Sequence, residues 1–206
     1  MTAARRVAIL IFDEVEVLDF AGPFEVFGVT GKAVGEKPFE VFTVAERREP
    51  VRAVNGLSIN PAYSIDDCPV PHILLIPGGY GTRRELANDR LLGWIRAMTA
   101  HTELTLSVCT GALLLGKAGL LDGLQATTYH TTFELLGELA PTATLCPSHR
   151  FVDNGHIITS AGISAGIDMS FYVVARLLGP EKALETARYM EYDLNLEYLS
   201  GGVSSD

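Results

Sequence analysis

Short, nearly unbroken apolar runs alternate with longer amphipathic stretches along this chain. Residues 7–12, 39–45, 73–76 and 104–108 are too short for helices and hold few polar side chains. Runs of that kind are strands buried on both faces, as in a parallel sheet sandwiched between helices. The stretches between them fit the helical period. A helix is predicted over 20–29, with Pro23 near its first turn, where a missing N–H does no harm. Residues 83–100 place Leu86, Leu91, Leu92, Ile95 and Met98 at helical spacing, and 110–118 begin directly after the fourth strand. Farther on, a fifth strand is predicted over 125–129, a helix over 131–139, and short strands at 144–146, 150–152 and 156–160. The last two flank Asp153-Asn154-Gly155, a hairpin signal. Two helices, 164–178 and 181–193, meet at Gly179-Pro180 and close the pattern.

This alternation predicts an α/β fold: one doubly wound, mostly parallel sheet in a flavodoxin-like sandwich, with right-handed crossovers and a small β-hairpin. A single domain over 1–206 is expected, its core at about 6–193, with a Ser/Gly tail over 200–206. A hydrophobic fraction of 48% against 20% charged residues suffices for a well-buried core. The net charge of −9 argues against a nucleic-acid partner, which needs a basic face. No apolar run approaches the roughly 20 residues that span a bilayer. Residues 7–12 are too short for a signal-peptide core and lead straight into Asp13-Glu14. Cys68, Cys109 and Cys146 cannot all pair within the chain, and their spacing fits no zinc pattern. A cytoplasmic protein with free thiols and no metal is the expectation.

Ligands of such sheets bind beyond the carboxyl ends of the strands, and three places there carry chemistry. In Ser107-Val108-Cys109-Thr110-Gly111-Ala112 a buried strand ends on a cysteine and a helix starts at once. The chain must turn sharply at Cys109, as at the nucleophile elbow of α/β-hydrolases. A sulfur at a helix N-terminus is expected to have its pKa lowered from about 8.5, toward mostly thiolate at pH 7. An inert buried cysteine is the common alternative. In Ile76-Pro77-Gly78-Gly79-Tyr80-Gly81-Thr82 the amide of Gly78 or Gly79, with that of Thr110, could form an oxyanion pocket; a tight turn is the plainer reading. In the third place, 13–23, Asp19 precedes a Gly-Pro pair and reads either as a helix N-cap or as a carboxylate able to reach Cys109. The second reading takes the first and fourth strands to lie close together. Such a carboxylate and thiol would titrate as a unit and could act as general acid and base. Tyr129 and His130 could line the same edge; none of the five histidines is adjacent to Cys109.

Taken together, 18–27, Ile76-Pro77-Gly78-Gly79, 108–115 and 159–168 resemble the ThiJ/PfpI superfamily, which is related in fold to class I glutamine amidotransferases. The similarity runs from about Arg6 to about Asp193, and within the superfamily it is nearest to the isonitrile hydratase branch. The same motifs occur in the sensor domains of some AraC-type regulators. The resemblance implies that Cys109 is the nucleophile, Asp19 its acid/base partner, and Thr110, Gly78 and Gly79 the elbow and oxyanion side. It implies an apolar wall from Gly162 and Ile163, and a homodimer with the site near the subunit interface. Two departures stand out. Thr110 occupies the place where PfpI-type proteases have a histidine, which speaks against a peptidase. Tyr129 comes between Ala126-Thr127-Thr128 and His130, where the hydratase branch commonly has a histidine directly. No helix-turn-helix segment is read before Asp206, so a DNA-binding regulator is not expected. The leading expectation is a cofactor-free isonitrile hydratase acting on a small molecule. Glyoxalase- or amidase-like chemistry on a small carbonyl compound is the alternative, as is a redox-sensing or ligand-binding module with little turnover.

Overall fold

The chain forms strands and helices in close alternation in a computed structural model that describes residues 3–200. The first half runs β1 (Arg5–Leu10), α1 (Val17–Val29), β2 (Phe39–Ala45), β3 (Val51–Arg52), β4 (Ser58–Ile59), β5 (Tyr63–Ser64) and β6 (Ile73–Ile76). Next come α2 (Thr82–Glu85), α3 (Asp89–Thr99), β7 (Leu104–Val108), α4 (Gly111–Lys117), β8 (Gln125–Ala126) and α5 (Phe133–Leu139). The rest is β9 (Thr144–Leu145), β10 (Phe151–Asp153), β11 (Ile157–Ser160), α6 (Ala165–Leu178) and α7 (Pro180–Tyr189). Seven strands form one sheet in the order β10-β11-β7-β6-β1-β2-β5. Every neighbour pair in it is parallel except β10–β11, the predicted hairpin. Helices α1, α6 and α7 pack together, and α2, α3 and α5 pack around α4. The sheet is therefore buried on both faces, and β6 and most of β1 are fully enclosed.

Consecutive strands leave β1 first toward β2 and later toward β6, so the order reverses beside β1. That reversal opens a crevice at the carboxyl edge, where α/β sheets bind ligands. The loops after β1, β6, β7 and β11 all emerge there. Two backbone links staple the first pair: Val15 bridges Gly79, and the Glu16 amide donates to the Gly78 carbonyl at 2.9 Å.

Several boundaries differ from the sequence prediction, each for a local reason. β1 begins at Arg5, whose amide bonds the Pro38 carbonyl; the half-buried Arg5 and Arg6 extend the ladder despite their charge. α1 starts at Val17, so Pro23 lies inside the helix and deprives the Asp19 carbonyl of its usual donor. Asp19 is accordingly in the first turn and is not the N-cap; Glu16 holds that position. The helix expected over 83–100 breaks at Asn88, whose side chain caps α3 by accepting from the Leu91 amide at 3.1 Å. The fifth strand is cut to β8, which pairs with β9 in a separate two-stranded ribbon. Instead of extending a ladder, Thr127 gives its amide to the Thr159 hydroxyl. The first and fourth predicted strands, β1 and β7, are not neighbours: β6 lies between them. The tail expected over 200–206 falls outside the described residues from 201 onward.

Leu75 sits at the centre of β6 with no solvent exposure. Leu75→Ala should cost about 2–5 kcal/mol in urea unfolding, since a closed sandwich refills a cavity poorly. A loss below about 1 kcal/mol would mean that the two helical layers do not close on that strand.

Candidate active site

Cys109 stands at the end of β7 with φ of 58°, a left-handed conformation that non-glycine residues rarely adopt. Such a backbone costs of order 1–3 kcal/mol and persists only where its surroundings hold it. Here they do so at both ends. The Cys109 amide donates to the Ser160 and Ala161 carbonyls, each at 3.2 Å, and the Cys109 carbonyl accepts from the Thr128 hydroxyl at 2.9 Å. The turn predicted from strand-then-helix with no loop is therefore present, braced by β11 and by the segment after β8. Ile163, in the loop after β11, also has positive φ, 52°. For a β-branched side chain that is a genuine outlier.

Asp19 is completely buried and reaches over the end of β6. Its Oδ2 accepts from the Gly78 amide at 3.0 Å, while Oδ1 has no partner of ordinary hydrogen-bond geometry. The Cys109 thiol, the Ile163 amide and the charge of Glu16 also bear on this carboxyl. Gly78 makes the approach feasible. A Cβ there would lie 2.6 Å from the Thr110 amide nitrogen and 2.8 Å from Asp19 Oδ2. Neighbouring Gly79 has φ of 130° and gives its amide to Thr110 Oγ1 at 3.0 Å. Both glycine amides that the sequence offers for an oxyanion pocket are thus engaged, one by Asp19 and one by Thr110.

Burial dominates the electrostatics of the pair. It pushes the Asp19 carboxyl up to about 7, and the charge of Glu16 adds to the rise against the Gly78 hydrogen bond. Burial also pushes the Cys109 thiol up to about 12, reinforced by the charge of Asp19 and opposed by the Thr110 and Ile163 amides. The lowering expected from the helix N-terminus is present in the Thr110 amide, but desolvation and the neighbouring carboxylate outweigh it. The pair therefore holds two protons below about pH 7 and one above it, and it titrates as a unit. A carboxylate beside a thiol is a base ready to take that proton.

A pocket of about 320 Å³ opens over the sulfur, lined by Glu16, Gly79, Tyr80, Arg83, Cys109, Thr110, Tyr129, Thr131 and Ile163. Gly162 lies directly under Tyr129, whose ring leaves no room for a Cβ there. Of the candidate residues from the sequence, Cys109, Thr110, Gly79, Tyr129 and Ile163 line the pocket, with Asp19 and Gly78 beneath it and Gly162 behind. His130 does not line it; its exposed ring packs edge-on against Tyr129 at 4.4 Å. Glu16, Tyr80, Arg83 and Thr131 are pocket residues that sequence reasoning misses. Glu16 and Tyr80 lie in the candidate post-strand segments and Arg83 one residue beyond, so position is the signal that could have found them. Among the described residues no cluster of His, Cys, Asp or Glu could hold a metal ion, and no helix is long and apolar enough to cross a membrane.

The model of the DJ-1/PfpI family matches residues 5–176. The chain belongs to this family. It is 34% identical over 190 residues to the isonitrile hydratase of Pseudomonas putida, across 92% of this chain and 79% of that protein. Its fold is similar to the crystal structure of a ThiJ/PfpI family protein from Pseudomonas syringae. The TM-score is 0.84 at 29% identity, over 94% of this chain and 77% of the other. The HTH-type transcriptional regulator GbdR of Pseudomonas aeruginosa is 23% identical over 189 residues; this chain spans about half of that regulator, 51%. The family thus includes both an enzyme and regulators, on one α/β sandwich.

Asp19 gives a pH signature with a definite sign. Its carboxyl rises from 3.8 to about 7 on folding, so the folded protein binds the proton more tightly. The associated stability is fully present below pH about 4 and is lost as pH rises through about 7. Between those limits, wild type should lose a few kcal/mol relative to Asp19→Asn, on the order of 1.4 kcal/mol for each step of one in pH. Urea unfolding of both proteins across that range checks this. A difference between them that does not vary with pH would mean that Asp19 titrates as an exposed carboxylate.

Proposed function

We propose that this protein is a cysteine-dependent lyase of the isonitrile hydratase type, adding water to a small isonitrile to give an N-substituted formamide. One observation carries the reading: a fully buried carboxyl, Asp19, coupled to the thiol of Cys109 at the floor of a pocket sized for a small molecule. The likeness to the Pseudomonas putida hydratase gives it further support.

An isonitrile carbon must gain both a nucleophile and a proton. A thiol paired with a carboxylate supplies the two together, so a free thiolate in the resting protein is unnecessary. Asp19 takes the proton from Cys109 as the sulfur attacks the terminal carbon, then delivers it to that carbon. The product is a thioimidate, with the sulfur bound to a CH that is doubly bonded to nitrogen. Asp19 next takes a proton from water as its oxygen adds to the same carbon, and passes that proton to nitrogen. Collapse of the tetrahedral adduct forms the C=O bond and breaks the C–S bond; Asp19 carries the hydroxyl proton to sulfur, and the formamide is released. The balance closes without a metal or an organic cofactor.

In this reading Gly78 aims Asp19, Gly79 aims the Thr110 hydroxyl, and the Thr110 and Ile163 amides face the sulfur while it carries charge. Ile163 and Tyr129 form apolar walls. A homodimer belongs to the same reading, supported by the partly exposed apolar side chains Leu18 and Phe24 of α1 and Ile163 at the pocket. So does a cytoplasmic location, with Cys68, Cys109 and Cys146 all free thiols.

Formamide formation from cyclohexyl isocyanide in wild type, Cys109→Ala and Asp19→Asn tests the proposal. Wild type should turn over, Cys109→Ala should be inactive, and Asp19→Asn should be slower by about 10²–10⁴. Because the carboxylate must be free to accept a proton, wild-type kcat/KM should fall as pH drops through about 7. Turnover surviving in Cys109→Ala would overturn the mechanism. Absence of turnover, with stoichiometric oxidation of Cys109 by dilute peroxide, would favour the redox-sensing alternative.

A further inference from the structure

The pocket over Cys109 carries two opposite charges that do not neutralise each other. Glu16, half-buried before α1, and Arg83, exposed in the first turn of α2, both line it. No ion pair joins them, and among the described residues no carboxylate lies within ion-pair distance of Arg83. Among the described residues its side chain makes one hydrogen bond, Nη1 to the Gly79 carbonyl, long at 3.4 Å. Arg84, next along the helix, is by contrast held by Glu85 at 3.1 Å and Glu14 at 3.5 Å. The Gly79 carbonyl also accepts from the Thr110 hydroxyl at 3.2 Å. The guanidinium of Arg83 is thus two hydrogen bonds away from the side chain adjoining Cys109 in sequence. Glu16 lines the same pocket, and its charge bears on Asp19.

We propose that Arg83 makes this a site for small substrates bearing an anionic group, a carboxylate in the simplest case, held at the α2 lip while the reacting carbon meets Cys109. The proposal rests on the reading of Cys109 as the reactive group and adds the class of substrate. A carboxylate placed there would replace a weak carbonyl contact with a charge-assisted one, of the kind that a guanidinium fork can make through two parallel bonds. A volume of about 320 Å³ has room for a molecule of this kind. Glu16 disfavours an anion elsewhere in the pocket, so the anionic group is held at Arg83.

Alkylation of Cys109 tests this without assuming the hydration reaction. In it the sulfur displaces iodide from carbon and the thiol proton leaves to solvent. Rates with anionic iodoacetate and neutral iodoacetamide are followed by the mass of the Cys109 peptide, and their ratio cancels changes in intrinsic reactivity. Arg83→Gln should lower the iodoacetate-to-iodoacetamide ratio about three- to fivefold, the scale of a partly exposed charge contact. Glu16→Gln should raise it, and about 0.5 M salt should shrink the wild-type preference. Arg96→Gln, the same charge change on the distant α3, should leave the ratio alone. An equal ratio in wild type and Arg83→Gln, or an equal shift in Arg96→Gln, would overturn the proposal. The same proteins are then given isocyanoacetate and its methyl ester. Preference for the acid that Arg83→Gln abolishes supports the assignment, and formamide from both at a ratio unchanged by Arg83→Gln refutes it. Formamide from neither refutes the hydratase reading alone and leaves the alkylation result standing.

Discussion

The carboxyl edge of this sheet is arranged around a buried contact between the Asp19 carboxyl and the Cys109 thiol. Two ionisable groups in so small a desolvated space cannot both give up their protons near neutral pH, so the proton they share becomes a property of the pair. The rest of the site serves that arrangement. Gly78 must lack a Cβ for Asp19 to come this close, and its amide pins one carboxylate oxygen while leaving the other unengaged. The Thr110 and Ile163 amides face the sulfur and offset part of its desolvation.

Holding the thiol there requires strained backbone, and the fold supplies the restraint from parts of the chain far apart in sequence. Ser160 at the end of β11 and Ala161 just after it provide carbonyl acceptors for the Cys109 amide, and Thr128, just past β8, caps its carbonyl. The staple between the loops after β1 and β6 sets the start of α1, and hence the reach of Asp19. Pro23 inside α1 fits the same scheme, since it spares the Asp19 carbonyl a donor just where the helix meets the site. A site built on the ends of four central strands inherits the rigidity of a sheet packed on both sides, while its opening is left to loop residues such as Tyr80 and Arg83.

Family membership brings these features into one frame without deciding the chemistry alone. A hydratase and a transcriptional regulator are both similar to this chain, and a fold shared by both cannot choose between them. The proposed hydratase reading rests on the site: a carboxyl buried beside the thiol, a pocket of about 320 Å³, and a guanidinium with no carboxylate in ion-pair reach among the described residues. Those are the features a reaction would use and a purely structural cysteine would not need.

Local pattern along the chain is enough to specify the α/β alternation, the parallel core strands, the hairpin at Asp153-Asn154-Gly155, and the turn at Cys109. Each is encoded within a few residues, by period, by a glycine or proline, or by a strand running into a helix without a loop. Position after a strand extends that reading to Asp19, Gly78 and Gly79 as candidates, and the family motifs to the roles expected of them. Other features emerge only in three dimensions: the break at Asn88, the detachment of β8 from the main sheet, and the separation of β1 from β7 by β6. The same holds for the place of Asp19 inside α1, the engagement of the Gly78 and Gly79 amides, and the convergence of Glu16 and Arg83 on one pocket. The direction of the Cys109 pKa is opposite to the sequence expectation, because a helix terminus is visible in sequence whereas desolvation is not. Burial and distance are relations between residues far apart in the chain, and they exist only once the sheet has closed.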